Sequence, residues 1–463
     1  MKKILLSITF LTFITFANAQ TWDSQATAFS NPSRGIENIQ IIDANTVWAL
    51  AFDGSGNATN VQEFTKTTDG GATWVPGTID VGDVTYQMVN LTAVDAMTAW
   101  VGAINPSVTG VTDPNDGIGV IYKTTDGGAT WVRQNATGFQ TVGTVNSFLD
   151  GIHFFDANHG LAFGDPVGTT FEIYTTSDGG ATWTPATSPA VVANEYGYTG
   201  NFAYAGNSFW FTTSKGKIYR TTDMGLTWTK LASPLTDFGA QVATNNIGNI
   251  YFSDNNIGII VGAKNYVAAT ATTASTGTYK IYTTTNGGTT WSAGVTYTGF
   301  KNMCYVPGTT TIVATSASTA SATSDGSSYS TDNGVTWTSI DTGTQRLSPA
   351  FLNLTTGWCG GFNTDPFTNG IFKFNGSLLT NNTFASTKSF VVSPNPANTN
   401  VSISSNLIDS YKLKVMDLTG KTVLDRQLNG VQNTVDISSL SNGMYFFTFI
   451  SENKTETVKI IKN

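Results

Sequence analysis

Short apolar runs separated by polar turns make up most of this chain. A pair of such runs around a turn occurs seven times: Ile42-Asp43 to Phe52, Val94-Asp95 to Ala103, Phe155-Asp156 to Phe163, Tyr204-Ala205 to Phe211, Phe252-Ser253 to Val261, Tyr305-Val306 to Val313 and Leu352-Asn353 to Phe362. Each pair predicts two buried strands joined by a tight connection. Composition points the same way. Only 12% of the 463 residues are charged, against 12% aromatic residues and 47 glycines, so a long charged helix is not expected and an all-β chain is.

A second element recurs between these pairs. Thr67-Thr68-Asp69-Gly70-Gly71-Ala72-Thr73-Trp74 returns at Thr124 to Trp131, Thr176 to Trp183, Thr221 to Trp228, Thr284 to Trp291 and Ser330 to Trp337, giving the pattern Ser/Thr-x-Asp-x-Gly-x-Thr-Trp. It predicts a hairpin turn in which the carboxylate accepts turn amides, glycine takes a positive φ and the Trp packs into the sheet interface. Asp69 and Asp332 are 263 residues apart in five steps, a mean of 52.6, and residues 20–387 hold seven such lengths. The last unit, ending at Ile371-Phe372-Lys373-Phe374, lacks a Thr-Trp strand after it. Thr21-Trp22-Asp23-Ser24-Gln25, similar to Thr130-Trp131-Val132-Arg133-Gln134, is expected to supply that strand and close a ring.

These six turns resemble the Asp-box, or BNR, repeat of sialidase-like and photosystem-assembly-factor-like β-propellers. The resemblance implies a seven-bladed β-propeller over 20–387, with Asp69, Asp126, Asp178, Asp223, Asn286 and Asp332 as structural residues on the face away from ligand. Asn286 keeps the acceptor oxygen and loses the charge.

Residues 1–19 have the two lysines, apolar run and Ala17-Asn18-Ala19 of a secretory signal peptide. No later stretch reaches the apolar length of a spanning helix, so none is expected. From Lys388 the charge balance changes: 8 Lys+Arg face 6 Asp+Glu in 388–463, whereas 20–387 carry 13 and 25. The tail alternates as a small immunoglobulin-like β-sandwich would. Its Ser393-Pro394-Asn395-Pro396, Val415 to Lys421, Ser441 to Tyr445 and Lys459 to Asn463 resemble the type IX secretion system sorting domain (type A) of Bacteroidetes. That implies engagement of the secretion machinery through 388–463 and a secreted or outer-surface location reached via the periplasm.

Chemistry is sparse. Sialidase catalysis needs three arginines around the substrate carboxylate, and the chain has five in all without an Arg-Ile-Pro element. Arg34 and Arg346 precede inner strands of neighbouring blades and are candidates to bind one anionic group, with Glu37 or Glu195 near; salt bridging between blades is the alternative. Asp150, Asp165 and Glu195 with Tyr198 fall on the same expected face and are candidate catalytic residues, from which a carboxylate pair for glycoside hydrolysis of sialidase-like or glucanase-like type could be drawn. Cys304 and Cys359 with His153 and His159 give no zinc spacing, and neither metal nor cofactor is expected. The two thiols either pair or stay free and buried. Without Lys2 and Lys3 the charge is 21 − 31 = −10, which argues against nucleic acid. The reading is a monomer that binds an extracellular protein or glycan, with the hydrolase as alternative.

Overall fold

The computed structural model describes residues 20–57, 59–105, 119–134, 139, 148–239, 245–267, 276–317, 325–378, 390–405, 410–451 and 454–463. The expected signal peptide and the stretches 106–118, 268–275, 318–324 and 379–389 lie outside the described residues. The chain divides into two compact units, 1–379 and 380–463.

The larger unit is all-β and propeller-like, built from repeated four-stranded antiparallel meanders. Each sheet is named here for its aspartate turn. The Asp69 sheet runs Arg34–Ile41, Val47–Asp53, Glu63–Thr67 and Val75–Thr78. The Asp126, Asp178, Asp223, Asn286 and Asp332 sheets follow, with first strands Gln87–Ala93, Leu149–Phe154, Gly197–Ala205, Asn245–Phe252 and Asn302–Tyr305. A closing sheet starts at Pro349–Asn353. Neighbouring first strands touch in chain order, and Pro349–Asn353 touches Arg34–Ile41, so the contacts form a circle. Asparagines tie these strands together. Asn90 donates to Ile152 O (2.9 Å) and accepts from Ile152 N, and Asn201 donates to Gly248 O (2.8 Å).

The expected closure is present. Thr21–Ala26 pairs antiparallel with Thr368–Asn375, Trp22 opposite Phe374. Trp22 is buried edge-on to Phe351 and Phe374, and its indole donates to Ser327 Oγ (2.8 Å).

Neighbouring sheets are latched by a device that sequence reading missed. Lys66 lies 4.4 Å over the Trp48 ring and donates to the carbonyl of Gly127, in the aspartate turn of the next sheet, at 2.9 Å. Lys123 over Trp100 reaches Gly179 O, and Lys373 over Trp358 reaches Gly70 O. Arg220 over Trp210 reaches Asn255 O, while the Trp210 indole takes Gly287 O. Cation, ring and carbonyl together satisfy a turn carbonyl at a sheet interface.

In the smaller unit, Phe390–Ser393, Asn400–Ser405 and Gln432–Asp436 form one sheet, and Thr422–Leu428, Tyr411–Met416, Gly443–Ser451 and Lys454–Lys462 form another. Alternating positions of both, including Val401, Ile403, Leu413, Val415 and Phe447, share one core, and Phe390 stacks on Phe449 at 4.3 Å. Among the described residues no helix is long and apolar enough to cross a membrane.

Deleting residues 20–26 is expected to lower the melting temperature of the mature chain strongly, because it frees a sheet edge and strips Trp22 from its core. Trp22→Ala alone should cost about 3–5 kcal/mol. Thermal melts followed by circular dichroism test both; an unchanged transition would show that the pairing is dispensable.

Candidate functional site

Each aspartate turn is tied to the hairpin turn between the first two strands of its own sheet: Gly70 N donates to Asn45 O, Gly127 N to Met97 O and Gly179 N to Asn158 O. Both turns therefore lie at one end of the sheet. The opposite end carries the connections between sheets and those between second and third strands.

The turns have the expected chemistry. Asp69 Oδ1 accepts from Thr73 N (2.9 Å) and from Thr67 Oγ1 (2.8 Å), and the same pattern recurs at Asp126, Asp178, Asp223 and Asp332. Gly70 and Gly71 take φ of 72° and 89°, a region open to glycine. Hydrogen bonds from the following threonine hold the carboxyls of Asp69, Asp126 and Asp178 down to about 2. Asn286 Oδ1 accepts from Thr290 N while its amide nitrogen donates to Thr290 Oγ1, reproducing the bridge without charge.

Two β-bulges meet at the other end of the Asp178 sheet. Asp150 is the extra residue between Leu149 and Gly151, and Asp165 the extra residue between Gly164 and Pro166. The bulges bring the carboxyls together. Asp150 is 3% exposed, accepts from Thr199 Oγ1 (3.2 Å) and leaves Oδ2 without a partner; Asp165 accepts from Gly197 N (2.9 Å). Burial first, and for Asp150 also the charge of Asp165, raises both above the usual carboxylate range. A Cβ on Gly197 would lie 2.2 Å from Asp150 Oδ2, so the acid is packed against backbone and not against a cleft.

Glu195 is buried and points elsewhere, accepting from Thr213 Oγ1 (2.7 Å), Val192 N (2.8 Å) and the Tyr219 hydroxyl (3.3 Å). Tyr198 donates to Asp237 at 2.6 Å, and burial followed by that bond raises its hydroxyl. Asp150 and Asp165 are thus brought together, and Glu195 and Tyr198 engage other partners.

The two arginines are already paired. Arg34 Nε lies 2.7 Å from Glu63, in the same sheet. Arg346 Nη2 lies 2.7 Å from Asp341, and its guanidinium sits 3.9 Å over the Phe372 ring of the closing sheet. The contact between sheets is thus cation on ring, while both ion pairs stay local. Cys304 and Cys359 are unpaired, packed around one core, and burial raises both thiols. Among the described residues no group of three potential metal ligands occurs.

What the circle of first strands encloses is a cavity of about 310 Å³, lined by every one of them. Gln40 and Tyr204 hydrogen-bond across it at 3.3 Å. His153 stacks on Tyr204 at 3.9 Å and burial lowers it to about 3, so it is neutral. Glu37 is the charged group of the lining, and it is another bulge residue, between Ile36 and Asn38. Crowding by protein raises its carboxyl to about 7 although it is exposed to the cavity. Sequence reading named Glu37 only as a neighbour of the arginines.

Residues 391–463 match the secretion system C-terminal sorting domain, which implies engagement of the type IX machinery and a secreted or outer-surface location. Similar solved structures include YCF48 bound to D1 peptide (14% identity, 78% of this chain and 97% of that one, TM-score 0.49). YCF48 from Cyanidioschyzon merolae is 15% identical (77% and 99%, TM-score 0.44), and the Trypanosoma rangeli sialidase in complex with sialic acid 10% identical (96% and 88%, TM-score 0.40). No curated protein matches the chain in sequence.

Asp126→Ala is expected to lower the melting temperature by about 2–4 °C and Asp126→Asn by less. A depressed carboxyl stabilises above its unfolded value, so the gap between Asp126→Ala and the parent should shrink as pH falls from about 4 toward about 2. For Asp150 the sign is opposite. Its raised carboxyl makes folding take up a proton, so stability falls as pH rises above about 4. Asp150→Asn should therefore raise the melting temperature at pH 8 and give no gain at pH 4. Equal shifts at both pH values would show that the charge is not what the site opposes.

Proposed function

We propose that the chain is a secreted or surface-held seven-bladed Asp-box propeller that binds an extracellular protein or glycan, carried out of the cell by an immunoglobulin-like sorting sandwich over 388–463. The observation that carries this reading is the sorting-domain match joined to a propeller-like unit whose first strands surround an open cavity. Binding is favoured over glycoside hydrolysis because Asp150 is sealed by Gly197, Glu195 is spent on three internal hydrogen bonds, and Arg34 and Arg346 are neutralised by Glu63 and Asp341. The ligand role considered for the two arginines passes in this reading to the cavity wall.

A glycan array and a protein capture assay run beside a glycosidase turnover screen on the mature chain test the reading. Binding without turnover is expected, and turnover that Asp150→Asn and Asp165→Asn both abolish would establish the hydrolase. A chain truncated after Thr387 should accumulate in the periplasm with its propeller folded. Efficient display of that chain on the cell surface would remove the sorting assignment.

A further inference from the structure

The carboxylates of the larger unit are almost all answered by something. Glu63 and Asp341 hold arginines, Glu195 takes three donors, and Asp53 accepts from Ser55 N and from both the amide and hydroxyl of Thr59. Glu37 differs. Its side chain is exposed to the cavity, and among the described residues neither a hydrogen-bond donor nor a counter-charge meets its carboxylate. It faces the central cavity on one side and a groove beside Asp53 and Gln87 on the other, so it stands where the two join.

The rest of the cavity wall suits a positive group. His153 is neutral, and among the described residues no lysine or arginine lines the space. The phenol rings of Tyr204, Tyr251 and Tyr305 form part of the wall, while the Asn90 amide is held by Ile152 and the Gln40 amide meets the Tyr204 hydroxyl. Aromatic rings attract cations through their quadrupole, and a carboxylate without a counter-charge gains one when a cation arrives. Residues 20–387 carry 13 basic against 25 acidic side chains, which draws cations toward the unit from a distance.

We propose that the central cavity binds an organic cation, an ammonium or guanidinium, with the carboxylate of Glu37 as its counter-ion and the tyrosine rings as its wall. This deepens the partner-binding reading and rests on it: the cation belongs either to a small free amine or to a lysine or arginine side chain presented by the partner. A cavity of about 310 Å³ accommodates one such side chain and excludes a folded segment.

Isothermal titration calorimetry on the mature full chain tests this with cadaverine as the free amine and acetyl-Gly-Lys-Gly-amide as the peptide-borne one. Pentan-1-ol and acetyl-Gly-norleucine-Gly-amide are the uncharged counterparts. Tighter binding of at least one cation than of its counterpart is expected, and Glu37→Gln should weaken that binding about tenfold or more. Glu37→Asp, which keeps the charge and withdraws it, should fall between. Preference for the peptide assigns the cation to a partner side chain, and preference for cadaverine to a free amine; either supports the cavity site. Equal affinity for charged and uncharged probes, no binding at millimolar concentration, or affinity unchanged in Glu37→Gln with a native melting profile would overturn it. Glycan-array or protein-capture signals that survive those negative results would leave the partner reading standing and remove only the cation.

Discussion

Without Thr21–Ala26, the strand Thr368–Asn375 would present a row of unpaired amides and carbonyls, and Trp22 would leave the core it shares with Phe351 and Phe374. Every other sheet of the larger unit takes its fourth strand from the segment just after its third. The closing sheet takes it from the other end of the chain. The exchange adds to a contact the closing sheet already makes with the Asp69 sheet, where Gly35 pairs with Phe362 and Pro349–Asn353 touches Arg34–Ile41.

The latches show how one residue type serves two structural levels. The aspartate turn places glycine at positive φ, which exposes its carbonyl at the end of the sheet. The same carbonyl is then taken by a lysine of the preceding sheet, held over a buried Trp. The turn is a local staple in its own sheet and an acceptor for its neighbour. An alteration at Asp126 therefore acts on the interface with the Asp69 sheet as well as on its own hairpin.

The turns, the Trp strands and the closure were legible in the sequence because each is written in consecutive residues with a fixed chemistry. The tail core was legible through alternation, although Thr422–Leu428 and Gln432–Asp436, more polar and more exposed, did not announce themselves as strands. What sequence could not give was the bulges. Glu37, Asp150 and Asp165 each occupy an extra position in a strand, so the alternation that assigns inward and outward faces fails at those residues. Glu195 and Tyr219 lie 24 positions apart and meet only through the fold. Lys66 and Lys123 stand directly before aspartate turns in the sequence, without a signal that their partners lie in the next repeat.

Closure also sets an order of events. Thr21 pairs with Asn375, 354 positions later, so the strand made first is the one paired last. Such non-local pairing must meet its loop-closure entropy before it gains its contacts, and it cannot begin until the far end of the unit has emerged. Until Thr368–Asn375 has been made, Thr21–Ala26 lacks the strand it pairs with.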